Sequence, residues 1–331
     1  MADDFLEQYN AVKNGVGWRD LTQERSKLAA VGPDRISFLH ALLSNDVESL
    51  DEDSGAYTTL LTPTGKIIAD FYCYRLAASA LLDVRRDLSE KLLTKLQTYI
   101  IMDDVELSDI NSEYSHISFQ GLEASQLLRS KLGGVPELSP LGIAHCVWED
   151  HPVVAIRKDE LSTPGFELLL PFEASSGLLA EIASPDIGLE VRELGEQAYD
   201  VLRLERGIPI YGIDMSEKNN PLEAGLRGSY SLTKGCFVGQ EVVAKATNIG
   251  GVARLLSQIQ CLDQTVPDSD GKIFSEDGQE IGWITSAGYS PGLGFPIALG
   301  YLKRAVSVPD TNCFIESGSG TIPARIVEAF E

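Results

Sequence analysis

The chain has 331 residues and a formal net charge of −22, from 49 acidic and 27 basic side chains. Its length allows two or three domains, each with its own core, and 44% hydrophobic with 8% aromatic residues is the composition of an ordinary globular protein. The acid excess argues against a nucleic-acid surface, which needs Lys and Arg. No apolar run approaches a membrane span, and the acidic start Met1-Ala2-Asp3-Asp4 is unlike a signal peptide, so a cytoplasmic protein with neither partner is expected.

In chain order, Gly32-Pro33-Asp34 marks a turn. Ile36, Leu39, Leu42 and Leu43 then share a helical face, with Asp34 placed as N-cap and Asn45-Asp46 as the end. Two strands, 57–61 and 67–76, flank the turn Thr62-Pro63-Thr64-Gly65. Period two puts Ile68, Asp70, Tyr72, Tyr74 and Leu76 on one face of the second strand, so Asp70 is a lone carboxylate among apolar and aromatic side chains. If that face is covered, the acid needs a partner, because burial disfavours its ionised form. A half-exposed strand with Asp70 at its rim fits the pattern equally well.

A helix over 88–98 presents Leu88, Leu92 and Leu96, followed by strands at 105–110 and 114–120. A helix at 123–132 is closed by Gly133-Gly134. Strands and helices that alternate without long crossovers point to α+β, ferredoxin-like units. The turn Thr163-Pro164-Gly165 opens a strand at 166–171, where Glu167 sits in a leucine run, either outward on a half-exposed strand or paired. A helix at 193–207 turns Val201, Leu204 and Ile208 inward and stops at Gly207. After Gly250-Gly251 short strands take over, at 253–262, 280–286, 297–302 and 321–327, with a turn at Ser290-Pro291-Gly292-Leu293-Gly294. This reads as a small β-barrel.

The five cysteines, Cys73, Cys146, Cys236, Cys261 and Cys313, are widely spaced and contain no C-x-x-C, so no disulfide framework or metal-ligand set is visible. His145, Cys146 and His151 lack a fourth ligand, and no metal is expected. Chemistry concentrates instead in Lys234-Gly235-Cys236-Phe237-Val238-Gly239-Gln240-Glu241. A thiol between glycines, two residues from an ammonium, suits an exposed and reactive cysteine; a buried cysteine acting as a small hydrophobe is the other reading. The surrounding stretch from Lys218 to Arg254 holds five basic residues against two acidic ones, which suits a small anionic ligand or a solvated loop.

KGCFVGQE resembles the K-G-C-[FY]-x-G-Q-E signature of the YgfZ family, folate-binding relatives of the glycine-cleavage T-protein (aminomethyltransferase). The similarity runs from Leu21 to the last strands. It implies an α+β fold of ferredoxin-like units forming a T-protein-like ring with a small C-terminal β-barrel. The implied domains are 1–46 with 112–245, then 47–111, then 246–331. A monomer that binds tetrahydrofolate, or a one-carbon-substituted folate, is expected.

The resemblance also implies roles. Gly65-Lys66-Ile67-Ile68-Ala69-Asp70 follows the T-protein G-x-I-x-x-D pattern, whose aspartate is catalytic beside the folate. Gly165-Phe166-Glu167 follows G-x-E, whose glutamate accepts the adjacent ring N–H and amine donors of the pterin. Arg203 falls in the L-R-L-E segment, and Tyr211 in the cavity-lining 208–212 segment. Lys234, Gln240 and Glu241 are cofactor-side residues of the signature, and Cys236 is its reactive group. The T-protein's A-R-D reads Ala198-Tyr199-Asp200 here, without the arginine. The expected function is a tetrahydrofolate-binding factor supporting iron–sulfur cluster assembly or repair and iron–sulfur-dependent tRNA modification, with iron–sulfur client proteins as partners. The alternatives are a folate-dependent aminomethyltransferase, favoured by Asp70, and an interaction module that has lost its ligand.

Overall fold

The computed structural model describes residues 2–133, 135, 137–161, 164–182, 188–247, 251–318 and 320–329. The expectations at Gly134, Thr163 and Gly250 lie outside them. Two compact units emerge, one of residues 1–58 and 71–199, the other of 59–70 and 200–331.

The first unit begins with α1 (Ala2–Asn14), β1 (Val16–Asp20), β2 (Arg25–Val31) and α2 (Arg35–Leu42). The hairpin β3 (Ser54–Leu61) and β4 (Ile67–Arg75) follows, its tip grouped with the second unit. Next come β5 (Ser79–Arg85), α3 (Arg86–Gln97), β6 (Glu106–Asp109), β7 (Tyr114–Gln120) and α4 (Ala124–Lys131). The unit continues through β8 (Ile143–Trp148), β9 (His151–Arg157), β10 (Gly165–Pro171), α5 (Phe172–Ile182), β11 (Val191–Glu193) and the start of α6 (Glu196–Glu205).

These strands make two sheets, ordered β11-β1-β7-β10-β9-β8 and β3-β4-β5-β2-β6. Central strand β10 is covered on both faces. Phe166, Leu168 and Leu170 join Leu127, Leu128 and Leu178 of α4 and α5 in one core. Leu169 turns the other way and meets Ile156 of β9 with Tyr74 and Leu81 of the five-stranded sheet. Glu167 alternates with Phe166 and Leu168 and so falls on that second, inter-sheet face. This decides between the two readings of Glu167, because its side chain is fully buried.

The second unit holds the end of α6, α7 (Gln240–Lys245) and six strands: β12 (Arg254–Cys261), β13 (Lys272–Phe274), β14 (Glu280–Ser290), β15 (Phe295–Lys303), β16 (Asn312–Ser317) and β17 (Gly320–Ala329). The strands close into a barrel in the order β12-β15-β14-β13-β16-β17, as the sequence led us to expect. Ile259, Ile273, Ile284, Leu302, Ile315, Ile322 and Ile326 fill it, with Cys261 and Cys313 acting as small apolar side chains. β13 is too short, and β16 too exposed at alternate positions, to have stood out in sequence.

One expectation fails locally. Asp34 makes no side-chain bond to the start of α2; its Oδ2 accepts the Asp104 N–H at 2.8 Å instead. A carboxylate beside a helix start takes whichever backbone donor the fold leaves open, and here a distant loop supplies it.

Candidate functional site

The inter-sheet face of the first unit is unusually charged. Glu167 Oε1 accepts Lys158 Nζ at 2.9 Å, and its Oε2 accepts His116 Nε2 at 2.9 Å. On the facing sheet, Asp83 is held by the fork of Arg25, with Nε on Oδ1 at 2.9 Å and Nη2 on Oδ2 at 2.8 Å. Lys158 links the pair, its Nζ lying 3.4 Å from Asp83 Oδ2 and 4.1 Å from the centroid of the Tyr72 ring. Lys27 completes the cluster, and its Nζ reaches the Arg25 carbonyl at 3.4 Å. Glu160, whose charge also reaches Arg25 and Tyr72, accepts the Tyr199 hydroxyl at 3.0 Å.

Three ammonium or guanidinium groups therefore meet two fully buried carboxylates. Burial pushes the Glu167 carboxyl up, but Lys158 and then His116 outweigh it and hold it below the ordinary range. Burial also pulls Lys27 down, to about 8, with Asp83 only partly offsetting it. His116 is lowered by burial in spite of Glu167, so it is neutral. A neutral imidazole that donates through Nε2 leaves Nδ1 a bare acceptor, and Nδ1 is buried with no hydrogen-bond partner among the described residues. Ligand atoms of Asp83, His116 and Glu167 lie within 4.8 Å of one another, a spacing that suits a metal ion. Here Lys158 already brings a cation to both carboxylates.

In the second unit the chemistry is carried by loops. Gly239 of the eight-residue signature has φ +82°, and a Cβ there would lie 2.6 Å from the Thr62 carbonyl and 3.1 Å from Gly65 Cα. Gly65 has φ +72°, and its Cβ would strike Val242. Two bare backbones thus dock the signature onto the hairpin tip, and glycine is required at both positions. Gly235, by contrast, faces open space. The tip is also tied to the 216–226 loop: Ile67 N–H donates to the Asn219 carbonyl at 3.0 Å, and Lys66 pairs with Glu223 at 3.4 Å. Asn220 and Glu223 cap one another's backbone N–H groups, at 3.0 and 2.9 Å. An open pocket of about 650 Å³ lies alongside, lined by Asn220, Glu223, Val242, Lys245 and the 251–253 segment.

A third buried carboxylate, Asp214, organises this unit. Asp214 Oδ2 accepts Arg203 Nη1 at 2.7 Å and the Ile210 N–H at 2.9 Å; its Oδ1 accepts Thr285 Oγ1 at 2.5 Å and Ser286 Oγ at 2.6 Å. Consecutive strand residues ordinarily point apart. A register shift between Ile284 and Ser286 turns both hydroxyls to one carboxylate. Gln258 and Ser290 of the barrel hold the end of α6, at the Leu204 carbonyl (2.6 Å) and Glu205 Oε1 (2.6 Å).

Residues 1–234 match the GCVT N-terminal domain, and residues 254–330 match the glycine cleavage T-protein C-terminal barrel domain. The chain belongs to the glycine cleavage T-protein family. It is 28% identical to an aminomethyltransferase of Thermotoga maritima over 326 residues, which cover 98% of this chain and 88% of the relative. A chloroplastic candidate transferase of Arabidopsis thaliana is 31% identical over 328 residues, covering 97% of this chain and 73% of the relative. The crystal structure of the glycine cleavage system aminomethyltransferase T from Bartonella henselae superposes with a TM-score of 0.87 at 22% identity, covering 98% of this chain and 88% of that one. The T-protein fold expected from sequence, with its C-terminal barrel, is thereby established.

The site residues expected for a T-protein relative divide between the two units. Glu167 lies in the first, fully buried, with both oxygens committed. Asp70 is half-buried on β4 at the hairpin grouped with the second unit. Arg203 is buried and engages Asp214, Asp200 and the Ile208 carbonyl. Tyr211 is buried beside Met215. Lys234 is also buried, its Nζ 5.3 Å from the centroid of the Phe237 ring. Gln240 opens α7, and Glu241 is exposed and paired with Lys245 at 2.6 Å. Cys236 is exposed, whereas Cys73, Cys261 and Cys313 are buried. Tyr199, standing where the T-protein has its arginine, carries the guanidinium of Arg19 at 4.4 Å from its ring.

Sequence reasoning missed Arg25, Lys27, Asp83, His116, Lys158 and Asp214. The available signal was the one that exposed Glu167, a charged or polar residue inside an apolar strand. Leu81-Leu82-Asp83-Val84 and the run Val153-Val154-Ala155-Ile156-Arg157-Lys158 both show it. Among the described residues, no helix is long and apolar enough to cross a membrane.

Proposed function

We propose that this chain binds a tetrahydrofolate and that its activity is folate-dependent aminomethyl transfer of the T-protein type. The full-length relatives named aminomethyltransferase support this reading, and Asp70 carries it within the chain. The Gly65 turn starts β4 and delivers Asp70 as a half-buried acid near the hairpin tip. Placed beside a folate nitrogen, a carboxylate orients it and stabilises positive charge that develops as the one-carbon unit is transferred. Transfer of an aminomethyl group from a lipoyl-bound carrier to tetrahydrofolate tests this. Wild type should turn over, and Asp70→Asn should abolish turnover while leaving folate binding within a few-fold. Folate binding without any transfer by wild type would reject the transferase reading.

One observation favours a second reading, the YgfZ-type factor that supports iron–sulfur enzymes and tRNA thiolation. Cys236 is exposed, at the centre of the loop that Gly239 docks onto the hairpin. Tyr199 in place of the T-protein arginine points the same way. On this reading, Cys236→Ser binds folate like wild type yet fails to restore iron–sulfur enzyme activity in cells lacking the protein. Full complementation by the serine variant would reject it.

A further inference from the structure

The carboxylate that the sequence pattern offers to a pterin is spent inside the first unit. Glu167 has no exposed surface, one oxygen on the ammonium of Lys158 and the other on Nε2–H of His116. A planar ligand offering two adjacent donors needs both oxygens at once, so it would have to displace a buried lysine and a buried histidine together. Neither has a better place to go. Lys158 is bracketed by Glu167, Asp83 and the Tyr72 ring, and is itself buried. His116 is buried and already lacks a partner at Nδ1 among the described residues.

We propose that Glu167 is a positioning residue, the internal counter-ion that fixes Lys158, just past β9, and His116 of β7 between the two sheets, and that it does not accept the pterin's donors. This rests on the folate-binding reading only for its ligand arm. The strand geometry explains why the role falls to Glu167. It is paired in register with Ser118 of β7 and Ile156 of β9, so its side chain stands mid-sheet, one strand from each partner. Lys158 then carries its charge across to Asp83, which Arg25 holds from the facing sheet. The chain of contacts Glu167–Lys158–Asp83–Arg25 ties β10 and β9 to β5 and β2 with alternating charge.

The test combines a stability cycle with a ligand titration. Glu167→Gln, Lys158→Met and the double variant are unfolded thermally and chemically. Each single change should lower the midpoint by on the order of 10 °C, because a buried charge loses its partner. The double variant should lose much less than the sum of the two, since the second change removes a group already stranded. Additive losses would overturn the proposal. In parallel, wild type and Glu167→Gln are titrated with tetrahydrofolate below their midpoints. Equal affinity within about threefold is expected, whereas a loss of about thirtyfold, the worth of a charge-assisted hydrogen bond, would overturn it. If wild type binds no tetrahydrofolate, the folate reading falls and the stability cycle still decides this one. If Glu167→Gln does not fold, Lys158→Met decides through the titration. It should bind tetrahydrofolate within about threefold of wild type, and a change of about thirtyfold in either direction would overturn the proposal.

Discussion

The protein buries carboxylates in two places and neutralises them differently. Asp214 has two donors on each oxygen, one of them charged and three neutral. Glu167 and Asp83 instead share three cations and a neutral histidine, whose Nδ1 has no hydrogen-bond partner among the described residues. Filling four lone pairs with fixed, mostly neutral donors makes a hub that holds its loop in one arrangement. Gathering ionisable groups without full pairing makes a region whose charge depends on pH. The difference shows that burial alone does not set the role of an acid; the kind of donor around it does.

The largest expected effect tests the hub. Asp214→Asn leaves buried Arg203 with only the longer pair to Asp200 and turns an amide toward two hydroxyls, and should cost roughly 3–5 kcal/mol in chemical denaturation. A loss below about 1 kcal/mol would mean that the donors around Asp214 do not hold this loop in place.

The cluster should reveal itself in alkali. Lys27 in the folded protein loses its proton near pH 8, against 10.5 when unfolded, so between these values the unfolded chain binds more protons. Stability should therefore rise with pH across that window, by about 3 kcal/mol at most, and the rise should vanish in Lys27→Met. On the acid side the slope has the same sign, so stability falls as pH falls. His116 is held neutral by the fold, so stability is lost below its ordinary value of 6.5, and Glu167, held ionised, adds to the loss below 4.5. Denaturation midpoints from pH 4 to pH 10 check both limbs; a flat profile above pH 8 would erase the contrast with the hub.

Gly239→Ala probes a join made by packing rather than charge. Its Cβ must push the hairpin tip aside from a backbone at φ +82°, which should cost roughly 1–3 kcal/mol. Unfolding by denaturant reads this directly, and loss of any Asp70-dependent turnover would show that the join also places the acid.

The smallest effect belongs to Cys236→Ser, an exposed side chain in neither buried network, which should change stability by less than about 0.5 kcal/mol. Thiol labelling at neutral pH should modify Cys236 fastest. Cys73, Cys261 and Cys313, which burial pushes up to about 12, should react only on unfolding.

Local pattern carried far in this chain. Apolar spacing foretold α3 on Leu88, Leu92 and Leu96, all buried, and turn residues marked the β3–β4 hairpin. Gly207 stops α6 with φ +67°, and the barrel follows the change in periodicity after Gly251. The glycines of the signature announced a tight approach, and Gly239 makes it. These features are local because torsional preference and side-chain period act over a few residues.

What only the tertiary structure decided is where each charge is satisfied. From sequence, Glu167 could face water or a partner. Its fate follows from the burial of β10 on both faces and from Lys158, His116, Asp83 and Arg25, which lie up to 142 positions away and were not foreseen. Asp34 likewise bonds a backbone N–H 70 residues on, and Arg203 meets an aspartate whose other oxygen is claimed by a strand bulge. Ion pairs and buried hydrogen bonds depend on which groups the packed core leaves without water. That is a property of surfaces brought together by folding, with no period along the chain to announce it.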